Sequence, residues 1–283
     1  MLGPQATPRL IPHPTILVFD SGLGGLTVYR EIVKARPDAD FVYVADDAFF
    51  PYGRLGDQNV VTRVVAVIER LVEAFRPDLV VIACNTASTI ALPTLRGRIA
   101  LPFVGTVPAI KPACAVSISK RVSVLGTEAT VKREYTRALI RAFAVGCDVT
   151  LIGSAQLAAL AEAALGGGMI DDAAIAAEIA PCFVADAVAR TDTIVLACTH
   201  YPLLLDRIVQ LSPWRAAFID PAPAIARRVV ELIGRASARA TPDPARVVFT
   251  SGRLLSPALS AALSRFGLDH FVPDRFDLTE VSA

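Results

Sequence analysis

The stretch "TILVFDSGLGGLTVYREIVKAR" (Thr15 to Arg36) starts with an apolar run and passes through a five-residue segment containing three glycines. It ends in a run whose apolar residues recur at helical intervals before Pro37. A continuous apolar strand, a tight glycine turn and a helix are the opening of an α/β unit. The pattern then repeats. "DFVYVAD" (Asp40 to Asp46) reads as the next strand. "DAFFPYG" (Asp47 to Gly53) reads as a loop, because Pro51 and Gly53 argue against regular structure. Asn59 to Phe75 carries apolar residues at helical spacing, and "LVVIAC" (Leu79 to Cys84) is a third strand. Strands that are apolar throughout fit parallel sheets covered on both faces, so the fold class is α/β.

The second half of the chain continues the rhythm. "LPFVGT" (Leu101 to Thr106), "RVSVLGT" (Arg121 to Thr127), "DVTLIGS" (Asp148 to Ser154), "TIVLAC" (Thr193 to Cys198), "AAFID" (Ala216 to Asp220) and "ARVVFTSG" (Ala245 to Gly252) read as strands. Thr130 to Phe143, Ala155 to Leu165, Asp171 to Ala189 (interrupted near Pro181), Ile225 to Gly234 and Pro257 to Gly267 read as helices. Each half opens on an apolar strand that runs into a turn of small residues. Two similar domains with mostly parallel central sheets follow, their strand ends facing across a cleft. The expected division is a flexible leader at 1–14, a first α/β domain at 15–112 plus 222–283, and a second at 113–221. Ligands bind at the carboxyl ends of strands in open α/β sheets. That rule selects Asp20, Asp46, Cys84, Thr106, Thr127 and Cys198.

Composition narrows the class. Hydrophobic residues make up 53% and charged residues 19%, which excludes a disordered chain. The formal net charge is +1, so the overall balance points to no nucleic acid and no acidic membrane surface. A local anion site stays open around "ISKR" and "VKREYTR" (Lys120 to Arg137). No apolar run reaches about 18 residues, so no membrane span is expected. The N-terminus lacks the pattern of a signal peptide. Five widely spaced cysteines without a CxxC fit a reducing compartment, and a cytoplasmic protein is expected.

Two of those cysteines stand in matching settings. "VVIACNTAS" (Val80 to Ser88) and "VLACTHYP" (Val195 to Pro202) are apolar runs that end in Cys followed by small polar residues. Buried polar groups must be hydrogen-bonded, so a plain core strand has little use for Asn85, Thr86, Thr199 or His200. His200 titrates near neutrality when free and is placed to serve Cys198. Cys198 and His200 supply only two ligands with no third or fourth at metal-site spacing, so no metal is expected. A Cys–His nucleophile pair remains open on the residues alone, although it leaves Cys84 unexplained. "DSGLGG" lacks the Lys-Ser or Lys-Thr of a phosphate loop. It reads as a close backbone approach to a small ligand, with Ser21 as a donor.

Taken in order, "ILVFDSGLGGLTVYREI", "YVADDAFFPYG", "VIACNTASTIALPTLR", "GTEATVKREY" and "LACTHYPLL" resemble the cofactor-independent aspartate/glutamate racemase family. The resemblance implies two α/β domains with the active site between them, and neither pyridoxal phosphate, metal nor nucleotide. It implies that Cys84 and Cys198 flank the α-carbon of glutamate, Cys198 taking the proton from the L-isomer and Cys84 from the D-isomer. Asp20 on the Cys84 side, His200 on the Cys198 side and Glu162 would assist. Ser21, Pro51, Tyr52, Gly53, Asn85, Thr86, Thr127 and Thr199 would hold substrate together with Asp20, Cys198 and His200. The product would be D-glutamate for peptidoglycan, and the resemblance leaves a homodimer open.

The chain departs from the family pattern at Asp47 (usually threonine), Phe49 (usually basic), Ser154 and Ala155 (usually cysteine-proline) and Pro221 (usually serine). Aspartate or a hydantoin is the alternative substrate. A non-catalytic binder of an acidic metabolite would keep the polar strand ends but would not need both thiols.

Overall fold

A computed structural model describes residues 10–236 and 242–268. It contains two parallel sheets. The first is built from β1 (Thr15–Asp20), β2 (Asp40–Ala45), β3 (Leu79–Ile82), β4 (Phe103–Gly105) and, from far along the chain, β9 (Arg246–Phe249). Its order is β4-β3-β1-β2-β9, with every neighbour parallel. The second comprises β5 (Arg121–Thr127), β6 (Asp148–Ser154), β7 (Thr193–Ala197) and β8 (Ala217–Ile219), in the order β6-β5-β7-β8 and again parallel.

The apolar strands have a direct packing reason. Successive strand side chains point to opposite faces. Ile16 and Val18 enter one core with the helices Leu26–Ala35 and Ala222–Ile233. Leu17 and Phe19 enter another with Asp57–Phe75 and Asn85–Arg98. In the second sheet Leu125 and Val124 divide in the same way between two clusters. Both faces are covered, so alternation disappears from the sequence.

All nine expected strands form; β1, β5 and β6 keep the expected bounds and the others are trimmed by up to three residues at an end. Several helices differ. The run Thr130 to Phe143 is two helices, Glu128–Lys132 and Glu134–Phe143, broken at an extended Arg133. The Thr136 hydroxyl there takes the Thr130 carbonyl at 2.7 Å. Asp171 to Ala189 holds only the helix Asp172–Ile179 and a 3-10 turn Ala180–Cys182. Pro181 lacks the N–H a continuing helix needs. "DAFFPYG" is not wholly irregular, since short 3-10 turns span Asp47–Phe49 and Tyr52–Arg54. The helices Asn85–Arg98 and Ile110–Val116 were not expected.

Of the leader, residues 1–9 lie outside the described residues. The remainder is tied down: Ile11 N–H donates to the Ile233 carbonyl at 3.1 Å, and the buried Arg36 donates to the Ile11 carbonyl at 2.8 Å. Among the described residues, no helix is long and apolar enough to cross a membrane.

Candidate active site

The carboxyl ends of β1, β3, β5 and β7 meet around one small pocket. Cys84 follows β3 and Cys198 follows β7, and both line it. Cys84 is also the N-cap of the helix Asn85–Arg98, its sulfur accepting from Ala87 N–H at 3.5 Å. The strand-to-helix turn therefore fixes the thiol at a helix start. Thr127 ends β5 and caps Glu128–Lys132 in the same way, accepting from Thr130 N–H at 3.2 Å.

On the second-sheet side, Cys198 Sγ lies 3.8 Å from His200 Nδ1. His200 Nε2 lies 2.9 Å from Glu162 Oε1 and 3.2 Å from Gly24 N. With the ring protonated, Nε2–H donates to Glu162, the shorter contact, and Nδ1–H faces the sulfur. Burial by itself would push His200 down. The hydrogen bonds and negative charges of Cys198 and Glu162 outweigh it and hold the imidazole well above 6.5. Burial likewise opposes ionisation of Glu162, but the bond to His200 and the backbone N–H of Leu23 keep its carboxyl below the ordinary range. The second-sheet arm is thus Cys198–His200⁺–Glu162⁻.

The first-sheet side is different in kind. Cys84 Sγ lies 3.6 Å from Ser21 Oγ, which donates to Asp20 Oδ1 at 3.2 Å. Burial, then the nearby Asp20 charge, pushes the Cys84 thiol up to about 12. Burial also raises Asp20, although His200, Thr199 and Gly22 N–H pull it back. Asp20 Oδ2 accepts from Thr199 Oγ1 at 2.9 Å, so this carboxylate ties the two halves together as well as serving the Cys84 side.

The remaining expected residues sort by what their polar atoms do. Asn85 lines the pocket with both side-chain amide atoms buried and without a protein partner among the described residues. Thr86 and Thr127 hydroxyls lie 3.3 Å apart across the cleft. Pro51 and Gly53 line the pocket. Tyr52 does too, but its hydroxyl is engaged with the buried Asp46, so it brings no free polar atom. Asp46 itself is paired with Arg63 and Thr106 bonds to the Ile82 carbonyl; neither of these strand-end residues lines the pocket.

The glycine loop makes close approaches to the protein itself. A Cβ on Gly22 would sit 2.3 Å from Glu162 Oε1, and one on Gly24 would sit 2.4 Å from His200 Nδ1. Leu23 N–H donates to Glu162 Oε1, at 2.5 Å. The basic stretch leaves little for an anion: Arg121, Lys132 and Arg133 pair with Asp186, Glu128 and Asp57.

Two contributors went unread in the sequence. Phe50 packs on the His200 ring at 5.3 Å between centroids, and Ala158 lines the pocket. An aromatic residue before Pro51 was the available signal for the first; Ala158 sits in an alanine-rich helix and offers none. Among the described residues, no group of three His, Cys, Asp or Glu side chains is arranged to hold a metal.

Comparison with known proteins identifies the family. Residues 16–229 match the Asp/Glu/hydantoin racemase family model. The glutamate racemase of Brucella canis is 51% identical over 229 residues, covering 81% of this chain and 83% of its own. That of Brucella anthropi is 52% identical over 230 residues, with the same coverage. The crystal structure of Escherichia coli glutamate racemase with L-glutamate and the activator UDP-MurNAc-Ala superposes with a TM-score of 0.82. Its identity is 39%, and the match covers 92% of this chain and 97% of that one. With two thiols from two parallel sheets on one pocket and a family match across most of its length, the chain belongs to the Asp/Glu/hydantoin racemase family.

Proposed function

We propose that the protein interconverts L- and D-glutamate by passing the α-proton between Cys84 and Cys198. The observation that carries this reading is that thiols from the two sheets line one small pocket in unlike surroundings. A stereocentre inverts when one base removes the proton and an acid delivers another to the opposite face. That demands one thiolate and one thiol at the start. Burial keeps Cys84 protonated, fitting it to donate. Cys198 Sγ stands 3.8 Å from His200 Nδ1, a partner that can take up and return protons, fitting it to accept.

In the L-to-D direction Cys198 sulfur takes the α-proton and the Cys84 S–H gives its own to the other face. Cys198 ends as thiol and Cys84 as thiolate. Ser21 and Asp20 connect Cys84 to a carboxylate that can return its proton, and the reverse direction uses the opposite assignment. Asn85, with its unpaired buried amide, and the small donors Ser21, Thr86, Thr127 and Thr199 hold the ammonium and carboxylates without an arginine fork. No cofactor takes part.

Curated relatives of similar length that act on glutamate support that substrate over aspartate or a hydantoin. We infer a cytoplasmic enzyme that supplies D-glutamate for peptidoglycan. We also infer the division into residues 15–112 with 222–283, and 113–221, since β9 joins the first sheet; of these, 237–241 and 269–283 lie outside the described residues.

The test is α-hydrogen exchange in deuterated water with no added cofactor. Wild type is expected to put label into both glutamate isomers, and Cys84→Ser and Cys198→Ser are each expected to lose racemisation by at least about 10³-fold. Wild-type rates in either variant would end the two-thiol reading. Exchange into aspartate in place of glutamate would move the substrate.

A further inference from the structure

The loop that carries Phe50, Pro51 and Gly53 to the pocket is fastened by a distant piece of chain. After β9, residues Thr250 to Arg253 run alongside Asp46 to Ala48. Thr250 Oγ1 donates to Asp46 Oδ1 at 2.6 Å, and Ala48 N–H donates to Thr250 Oγ1 at 3.3 Å. The outer half of the contact centres on Asp47. Its Oδ1 accepts from Ser251 N–H at 3.0 Å and its Oδ2 from Ser251 Oγ at 2.6 Å. Arg253 Nε lies 3.1 Å from the same Oδ2, while its guanidinium covers the Phe249 ring at 4.5 Å. Asp47 is largely buried although Arg253 is about a third exposed. These residues include one of the departures from the family pattern: a carboxylate stands where threonine is usual.

The fastened loop reaches the proton-transfer groups through one side chain. Phe50 lies on the His200 ring, 5.3 Å between centroids, and its edge borders Gly22. We propose that Asp47, Ser251 and Arg253 form a clasp that seats Phe50 on His200 and so positions the imidazole between Cys198 and Glu162. None of the three lines the pocket, so they are positioning residues. The Arg253 charge acts in the same sense, because it favours the ionised Glu162. The groups that set the charge of His200 are Cys198 and Glu162 on its own side and Asp20 across the cleft. The clasp sets their geometry and adds one charge, that of Arg253, which acts through Glu162. Its catalytic meaning rests on the two-thiol reading; its effect on His200 does not.

The experiment uses the substrate-free full chain labelled with ¹⁵N-histidine. The chain has three histidines, and His200 is assigned by difference with a His200→Gln sample. In Asp47→Ala and in Arg253→Gln the titration midpoint of His200 is expected to fall by at least about half a pH unit, roughly threefold in its protonation constant. The sign follows from burial taking over as Cys198 and Glu162 lose alignment. The double variant is expected to fall no further than the lower single, since the residues act as one unit. Arg253→Lys is expected to keep most of the wild-type midpoint. In glutamate racemisation the same variants are expected to lose kcat by about three- to tenfold with KM changed less than about twofold.

A midpoint that moves by less than this in a variant with intact far-UV dichroism overturns the clasp, even if its melting temperature drops. So do additive losses in the double variant. A shifted midpoint in a protein whose wild type racemises nothing keeps the clasp and removes the two-thiol reading.

Discussion

Glu162 and His200 hold opposite charges at a place where burial works against both, and their mutual bond, with Cys198 beside the ring and Leu23 N–H on the carboxylate, keeps them ionised. The consequence for stability has a definite pH form. A histidine raised above its ordinary 6.5 contributes fully below 6.5, and the contribution fades as pH rises through the raised value. A glutamate held below its ordinary 4.5 contributes fully above 4.5 and fades as pH falls through the lowered value. Both contributions are whole between 4.5 and 6.5. Glu162→Gln is therefore expected to lower the melting temperature most in that window. The gap to wild type should narrow toward pH 3 and again well above pH 7, read by scanning calorimetry across pH. A gap that stays level from pH 4 to 9 would show that the pair is not ionised in the folded protein. At this scale the thiols were legible because Cys84 and Cys198 each follow an apolar run with polar residues that a core strand would not carry. Phe50 was not, since an aromatic side chain reads as packing until the ring beneath it is known.

Glu162 owes its place to the helix Leu157–Leu165, and the start of that helix is set by Ser154. Its hydroxyl accepts from Leu157 N–H at 3.0 Å and donates to the carboxylate of Glu178. The serine replaces the family's usual cysteine here without unseating the acid, which still meets His200 at 2.9 Å. Ser154→Ala removes the acceptor for a helix-start N–H and one partner of Glu178. The expected cost is about 1 kcal/mol in urea unfolding, the usual net worth of one hydrogen bond. Racemase activity should fall modestly, by about two- to fivefold, as Glu162 loses its fixed register. An unchanged midpoint would mean that packing of Leu157 and Ala161, both fully buried, sets the helix alone.

The elements were legible where burial leaves one pattern. β1, β5 and β6 have the bounds expected from their sequences: β1 and β5 are buried along most of their length, while β6, an edge strand, is only partly covered and is marked by its β-branched residues. The helix Asn85–Arg98 was hidden for the opposite reason. Its first turn, Asn85 to Ser88, is wholly buried, so polar residues mark no solvent face, and Pro93 lies inside the helix, where proline normally argues against one. The break at Arg133 was hidden because its cause lies elsewhere in the chain: the guanidinium reaches across to Asp57 at the start of another helix.

At the scale of the molecule, the cleft is closed by bonds between the two sheets' segments, several of them from the glycine loop after β1 and the residues on either side of it. Leu23 N–H meets Glu162, Gly24 N faces His200, the Thr27 hydroxyl donates to the Thr199 carbonyl at 3.2 Å, and Asp20 accepts from Thr199. Glycine is needed there for space between halves: the loop glycines have no positive φ. A Cβ on Gly24 would lie 2.4 Å from His200 Nδ1 and 2.7 Å from Cε1 and Cγ, with the whole ring face in its way. Either the ring swings off Cys198 and Glu162, leaving a buried carboxylate unpaired, or the two sheets move apart.

Both outcomes disconnect the same arm, so Gly24→Ala is expected to cost at least about 10²-fold in kcat. Overpacking of this kind also costs about 1–3 kcal/mol of stability. Far-UV dichroism should not change, because each sheet keeps its own core. Gly56→Ala is the matched control: a Cβ there meets nothing within 4 Å, and wild-type rates are expected. If Gly24→Ala races as fast as Gly56→Ala, the halves yield at no cost. The contact between the glycine loop and His200 would then be incidental to closure.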